Sequence, residues 1–198
     1  MTTPAATHAP AIKAAHWLTA VLIAFAYLLA FYMRSAESAD QLAWYLMLHR
    51  STGLVIAALT LARLGIRAHA ALPAWPAGLP RWQQFAATAS ERALCLFLLA
   101  QPLLGIVGSL LRGNVVLFAI PVPQLFPRDR ALAREILAVH HVLGFCLLGL
   151  IALHVAAALH HHFVRRDDIL LRMLPRLHHP PSSPQEPALG LNGGENPL

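Results

Sequence analysis

The chain has 198 residues, of which 57% are apolar and only 12% charged, with a formal charge of +6. A soluble domain carries about 25% charged residues, so a charge content near half of that, with a mean hydropathy of +0.56, excludes a largely disordered chain and argues against a soluble enzyme. The basic residues gather at the ends of apolar runs, the placement expected beside lipid rather than on a nucleic-acid-binding face.

A helix needs about 20 mainly apolar residues to cross a bilayer, and four runs qualify: Ala14 to Met33, Trp44 to Ile66, Arg92 to Leu111, and Ile136 to Phe163. The first is too long for the apolar stretch of a secretory signal and carries a His-Trp pair, so it reads as a retained span. Between the second and third spans, Ala68 to Ala87 contains Pro73, Pro76 and Pro80 and should run along one membrane surface. Between the third and fourth, Gly113 to Arg130 contains Pro121, Pro123 and Pro127, and is apolar enough at Val115 to Ile120 to lie over the mouth of a bundle. Residues 177–198 are rich in Pro, Gly, Ser and Asn and read as a disordered tail, leaving 1–176 as the folded domain. The expected fold is all-α, a four-helix transmembrane bundle. With the N-terminus inside, nine Lys and Arg fall on the inner face and six on the outer, which favours two cytoplasmic termini. Trp17, Trp44, Trp75 and Trp82 all fall near span ends, as interfacial tryptophans do.

Two cysteines, Cys95 and Cys146, lie inside apolar runs and read as small buried fillers. No CxxCH for covalent haem attachment and no CxxC pair occurs. The informative residues are the twelve histidines, because an ionisable group inside a span is expensive and is a functional candidate. His140 and His154 stand fourteen residues apart on the fourth span, just under four turns, so they share a face and are separated by about 21 Å along the axis. His16 lies near the start of the first span and His49 near the start of the second. Because successive spans alternate in direction, His49 and His140 fall at one depth, near the outer surface, and His16 and His154 at another, near the inner.

Low-spin haem iron takes two axial imidazoles, and two histidine pairs at two depths fit two such haems. Gly53 and Gly144 follow His49 and His140 by four residues, and Ala20 and Ala158 follow His16 and His154 at the same spacing. Each is a small position on the ligand's helix face, giving room to a flat macrocycle. Tetrahedral zinc would need its ligands to converge at one point, and these do not. A proton relay and simple helix–helix hydrogen bonding are the other uses of such histidines. His161 shares the face of His154 and is the alternative inner ligand. His141 points to a different face. His160 and His162 solvate the span end beside Arg165 and Arg166, and His8, His69, His178 and His179 read as surface residues.

The stretches AAHW at 14–17, LHRSTG at 48–53 with Arg63 and Arg67 downstream, QPLLG at 101–105, RGN at 112–114 and HHVLGF…LHVAAALHHHF…LLRMLPR from 140 to 176 occur in this order. In this pattern the chain resembles the bacterial cytochrome b-561 family of small di-haem, four-helix proteins. The resemblance implies a multi-pass protein of the bacterial inner membrane with two haem b groups (iron protoporphyrin IX). It implies His16, His49, His140 and His154 as iron ligands, and electron transfer between a small redox donor and ubiquinone, with superoxide as the donor in at least one member. An outward excess of arginine would draw in a small anion. The same motifs fit a cytochrome b anchor subunit of a dehydrogenase or hydrogenase complex, and a haem-free membrane bundle is the third reading. No nucleophile dyad, phosphate loop or catalytic carboxylate pair supports hydrolytic chemistry.

Overall fold

A computed structural model describes residues 10–69, 75 and 78–174. Four helices dominate: α1 Pro10–Tyr32, α2 Ala39–His69, α3 Arg81–Arg112 and α4 Arg130–His160. All four are long and apolar enough to cross a membrane. Ala and Leu, strong helix formers, fill them, and lipid leaves a backbone no alternative to internal hydrogen bonding. A 3₁₀ turn, Met33–Ser35, closes α1, and a π turn, His161–Arg165, extends α4. The tail beyond residue 176 lies outside the described residues.

All four helices begin before the spans that hydropathy delimits. The largest difference is at α3, which starts at Arg81 rather than Arg92. The added turns, RWQQFAATASE, are polar on one side and so escape a hydropathy window, but they hold a regular helix. Pro80 precedes the first turn and its carbonyl accepts from the amides of Gln83 and Gln84. Proline is suited to a helix start because it has no amide to satisfy. The link between α2 and α3 is correspondingly shorter than expected. α3 ends at Gly113, whose φ of +93° lies where a side chain is strained. α4 starts at Asp129, whose carboxylate accepts from the Leu132 amide at 2.9 Å, an N-cap that satisfies one of the orphan amides.

The link from α3 to α4 folds into a hairpin, β1 Val116–Leu117 paired with β2 Ile120–Pro121. Val115 is buried, and the Phe118 amide donates to Ser51 Oγ at 2.8 Å. The apolar loop therefore reaches over α2 at the mouth of the bundle, two residues from His49.

α1 packs on α2, α2 on α3, and α3 on α4. The remaining neighbours do not close: among the described residues, no Cα of α4 comes within 8 Å of a Cα of α1 or α2. Directly packed helices have axes only about 8–10 Å apart, so α4 is held off both. At mid-depth a core forms from Ile56, Leu98 and Leu147, flanked by Leu22, Ile23, Phe97 and Ile151. The outward faces are apolar too, with Val21, Phe31, Leu96, Leu103, Phe145 and Leu153 exposed, as a lipid-facing surface requires. Cys95 is half-buried and Cys146 is exposed on that surface. The expectation of two buried cysteines is thus corrected for Cys146, which α4 turns away from the bundle.

Candidate cofactor site

We refer to the end carrying the start of α1 and the finish of α4 as the terminal end, and to the hairpin side as the loop end. The structure brings the four span histidines together as two facing pairs. His49 of α2 and His140 of α4 have ring centroids 6.2 Å apart at 84°. His16 of α1 and His154 of α4 have theirs 6.4 Å apart at 63°. Each pair thus spans two helices whose backbones stand apart, α2 and α4 in one and α1 and α4 in the other. The fourteen-residue step between His140 and His154 sets the pairs about 21 Å apart in depth, with the apolar Ile56–Leu98–Leu147 core between them.

The separation has a chemical meaning. An imidazole nitrogen bonds a transition metal at about 2 Å and lies about 1.1 Å from its ring centroid, so two imidazoles on one ion hold centroids about 6.3 Å apart. His49 and His140 make no hydrogen bond to each other. Instead each ring is fixed from behind. Nδ1–H of His49 donates to the Ala26 carbonyl at 3.0 Å, and Nδ1–H of His140 donates to the Gln101 carbonyl at 3.0 Å. A carbonyl only accepts, so the proton sits on Nδ1 and the lone pair on Nε2. Metal-binding histidines are commonly held by such an outer bond. Among the described residues no group of three or more His, Cys, Asp or Glu side chains converges. Two ligands per level match an ion whose remaining positions are filled by a macrocycle, and the residues present fit haem.

α3 contributes no histidine but braces the loop-end pair. Gln101 Nε2 donates to the His140 carbonyl at 3.0 Å, so Gln101 both receives from His140 and gives to it. Its Oε1 is buried with no hydrogen-bond partner among the described residues. Gly105 lets the ring approach: a Cβ there would lie 3.2 Å from His140 Cε1. Sequence reasoning assigned the room beside the ligands to Gly53 and Gly144. Their missing Cβ atoms instead face α3, at Pro102 (3.7 Å) and Gln101 (3.5 Å). The Gly144 carbonyl also accepts from Tyr27 Oη at 2.6 Å, a bridge from α1 to α4 that the sequence did not announce.

At the terminal end, Arg63 and Glu91 lie within electrostatic reach of His154. Glu91 is held by both guanidinium nitrogens of Arg67. Lys13 is buried, and its Nζ donates to the Leu174 carbonyl at 3.1 Å, while Trp17 Nε1 donates to the Met173 carbonyl at 2.9 Å. The segment after the π turn thus lies against the start of α1. His161, the alternative ligand, is engaged by Asp167 at 2.5 Å, and it is His154 that faces His16. His141 is exposed beside His140, on another face as expected. His8, His178 and His179 lie outside the described residues.

A protein with four helices able to span a membrane and two facing histidine pairs belongs in its architecture to the class of membrane cytochromes. The comparisons give the family: a model described as prokaryotic cytochrome b561 matches residues 7–176, and the chain belongs to that family. It is 32% identical over 171 residues to cytochrome b561 homolog 1 of Escherichia coli (strain K12), covering 81% of this chain and 93% of the relative. It is 30% identical over 167 residues to cytochrome b561 homolog 2 of the same organism, covering 80% and 86%. It is also 29% identical over 163 residues to the probable superoxide oxidase CybB of Yersinia pestis, covering 81% and 92%. The chain is therefore a bacterial multi-pass inner-membrane protein of a family that binds haem b and transfers electrons in the membrane.

Proposed function

We propose that this chain binds two haem b groups, one between His49 and His140 and one between His16 and His154, and moves electrons from superoxide to ubiquinone. The observation that carries the reading is the recurrence, at two depths, of imidazole pairs spaced for one iron, 6.2 and 6.4 Å between centroids. When bound, each haem would supply a one-electron redox centre whose potential depends on its ligands and surroundings.

The chain's own residues do the rest. The Ala26 and Gln101 carbonyls hold the loop-end imidazoles in the ligating tautomer. The Ile56–Leu98–Leu147 layer keeps water from the space between the two levels. Arg50 and Arg112 lie near each other at the loop end, and Arg128 reaches Asn114 on the same side. This positive cluster would raise the local concentration of a small anion, which agrees with the name of the Yersinia pestis relative. Two superoxide ions oxidised to oxygen release two electrons, and ubiquinone takes up two electrons and two protons to become ubiquinol. The terminal end is assigned to the cytoplasm by the positive-inside count, and residues 1–176 form the working unit.

Haem quantification of the purified protein tests the reading. Two haem b per chain are expected, falling to one in His140→Ala and to one in His154→Ala. One haem or none in the unaltered protein would overturn it. Stopped-flow mixing with superoxide should reduce the haems, and added ubiquinone should reoxidise them. No reduction by superoxide would reject that donor while leaving the ligand pairs intact, and activity confined to a complex with a dehydrogenase would favour the anchor-subunit role.

A further inference from the structure

The terminal-end pair is surrounded by positive charge that the described residues do not balance. Lys13 is 7% exposed and has no carboxylate within 4 Å; its one hydrogen bond goes to the Leu174 carbonyl. An ammonium has three donors to satisfy. Among the described residues Arg63 has no ion-pair partner, and its Nε is buried without a hydrogen bond. The nearby carboxylate, Glu91, is already taken by Arg67. Within the set Lys13, Arg63, Arg67 and Glu91, the Arg67–Glu91 pair leaves Lys13 and Arg63 as two positive charges in a low-dielectric setting, where an unpaired ion is strongly disfavoured.

Their position is as specific as their number. Arg63 follows His49 by fourteen residues and His154 follows His140 by fourteen, so α2 and α4, starting level at the loop-end pair, arrive level at Arg63 and His154. Lys13 precedes His16 by three residues, one turn nearer the terminal end on the same side of α1. The two charges thus flank the His16–His154 pair from different helices.

We infer that Lys13 and Arg63 are the two carboxylate anchors of the terminal-end site, each holding one propionate of the porphyrin bound between His16 and His154. The inference rests on the di-haem reading and adds the residues that orient and retain one of the two groups. Iron protoporphyrin IX carries two propionates, which matches the two surplus charges. Charge-assisted hydrogen bonds from ammonium and guanidinium to carboxylate are among the strongest a protein makes. The anchors also fix which edge of the macrocycle faces the terminal end.

The test uses the full-length protein with Lys13→Met, Arg63→Met and both changes. Each single change should raise the dissociation rate of the terminal-end haem about tenfold, and the double change about a hundredfold, from the loss of one charge-assisted bond per site. The midpoint potential of that haem should fall, because removing a nearby positive charge disfavours adding an electron. The loop-end haem should keep its occupancy and spectrum, which verifies that the variants fold. In a His140→Ala background, which leaves the terminal-end pair alone, iron protoporphyrin IX should bind at least tenfold tighter than its dimethyl ester, and the double change should erase that preference. Unchanged occupancy, potential and ester discrimination in the double variant would overturn the inference, as would loss of bound anionic lipid in place of haem. If His154→Ala releases no haem, the di-haem reading itself fails, and the inference falls with it by a separate route.

Discussion

At the scale of single residues, the loop-end site depends on small contacts that leave little tolerance. A Cβ at Gly105 would press on the His140 ring at 3.2 Å, and that ring is tethered through Nδ1 to Gln101. Gly105→Val is therefore expected to remove most of the loop-end haem while sparing the terminal-end one, a change readable in the b-type absorption bands. Gly108 is a control of a different kind. A Cβ there would fall 2.7 Å from Leu137 Cγ, so Gly108→Ala forces the Leu137 side chain or its helix to shift. Overpacking of this type costs about 1–3 kcal/mol and should lower the melting temperature in detergent. The histidines were legible in the sequence because an imidazole in an apolar span stands out by composition alone. Their Nδ1 partners were not, because a backbone carbonyl such as that of Ala26 or Gln101 has no sequence signature. The glycine against the ring was not legible either. Four-residue spacing finds positions on the ligand's own helix, such as Gly144, and cannot see Gly105 arriving from a neighbour.

At the scale of elements, α3 supports α4 at both levels, although it carries no histidine. It holds Glu91 toward the terminal end, Gln101 and Gly105 against His140, and Ser109 under Arg50. Gln101 is its least comfortable member. Its Nε2 makes one bond to the His140 carbonyl while its Oε1 stays buried with no hydrogen-bond partner among the described residues. Gln101→Leu removes a bond worth about 1 kcal/mol but also an orphan acceptor of similar cost. Stability should therefore change by less than about 1 kcal/mol, and the Nδ1 tether, made by the backbone, should survive with the loop-end haem in place. A drop in melting temperature of many degrees would show that Oε1 has a donor of its own. The number, order and apolar character of the helices were readable because hydropathy reports what faces lipid. The start of α3 at Arg81 was not, because its first turns stand beyond the apolar stretch and take their regularity from Pro80 and good helix formers rather than from apolar run length. The stand-off of α4 was hidden for a related reason: hydropathy fixes which residues lie in the membrane but not which helices touch.

At the scale of the whole molecule, the arrangement has a direction. One histidine pair lies near the hairpin, the other near the segment that joins the end of α4 to the start of α1, and an apolar layer separates them. Which end meets the cytoplasm decides which pair meets an external donor. The count of nine basic residues against six predicts termini inside, because the positive-inside preference weighs short loops and span ends of the kind present here. Accessibility to a membrane-impermeant maleimide tests this directly. The native thiols give a low background, since Cys95 and Cys146 both fall well within spans. Leu125 is 58% exposed in the loop between α3 and α4, and Asp168 is exposed just after the π turn. In intact cells Leu125→Cys should be labelled and Asp168→Cys should react only after the inner membrane is opened. The reverse pattern would turn the molecule over. The Arg50–Arg112 cluster would then face the cytoplasm, and an external anion would meet the His16–His154 pair first.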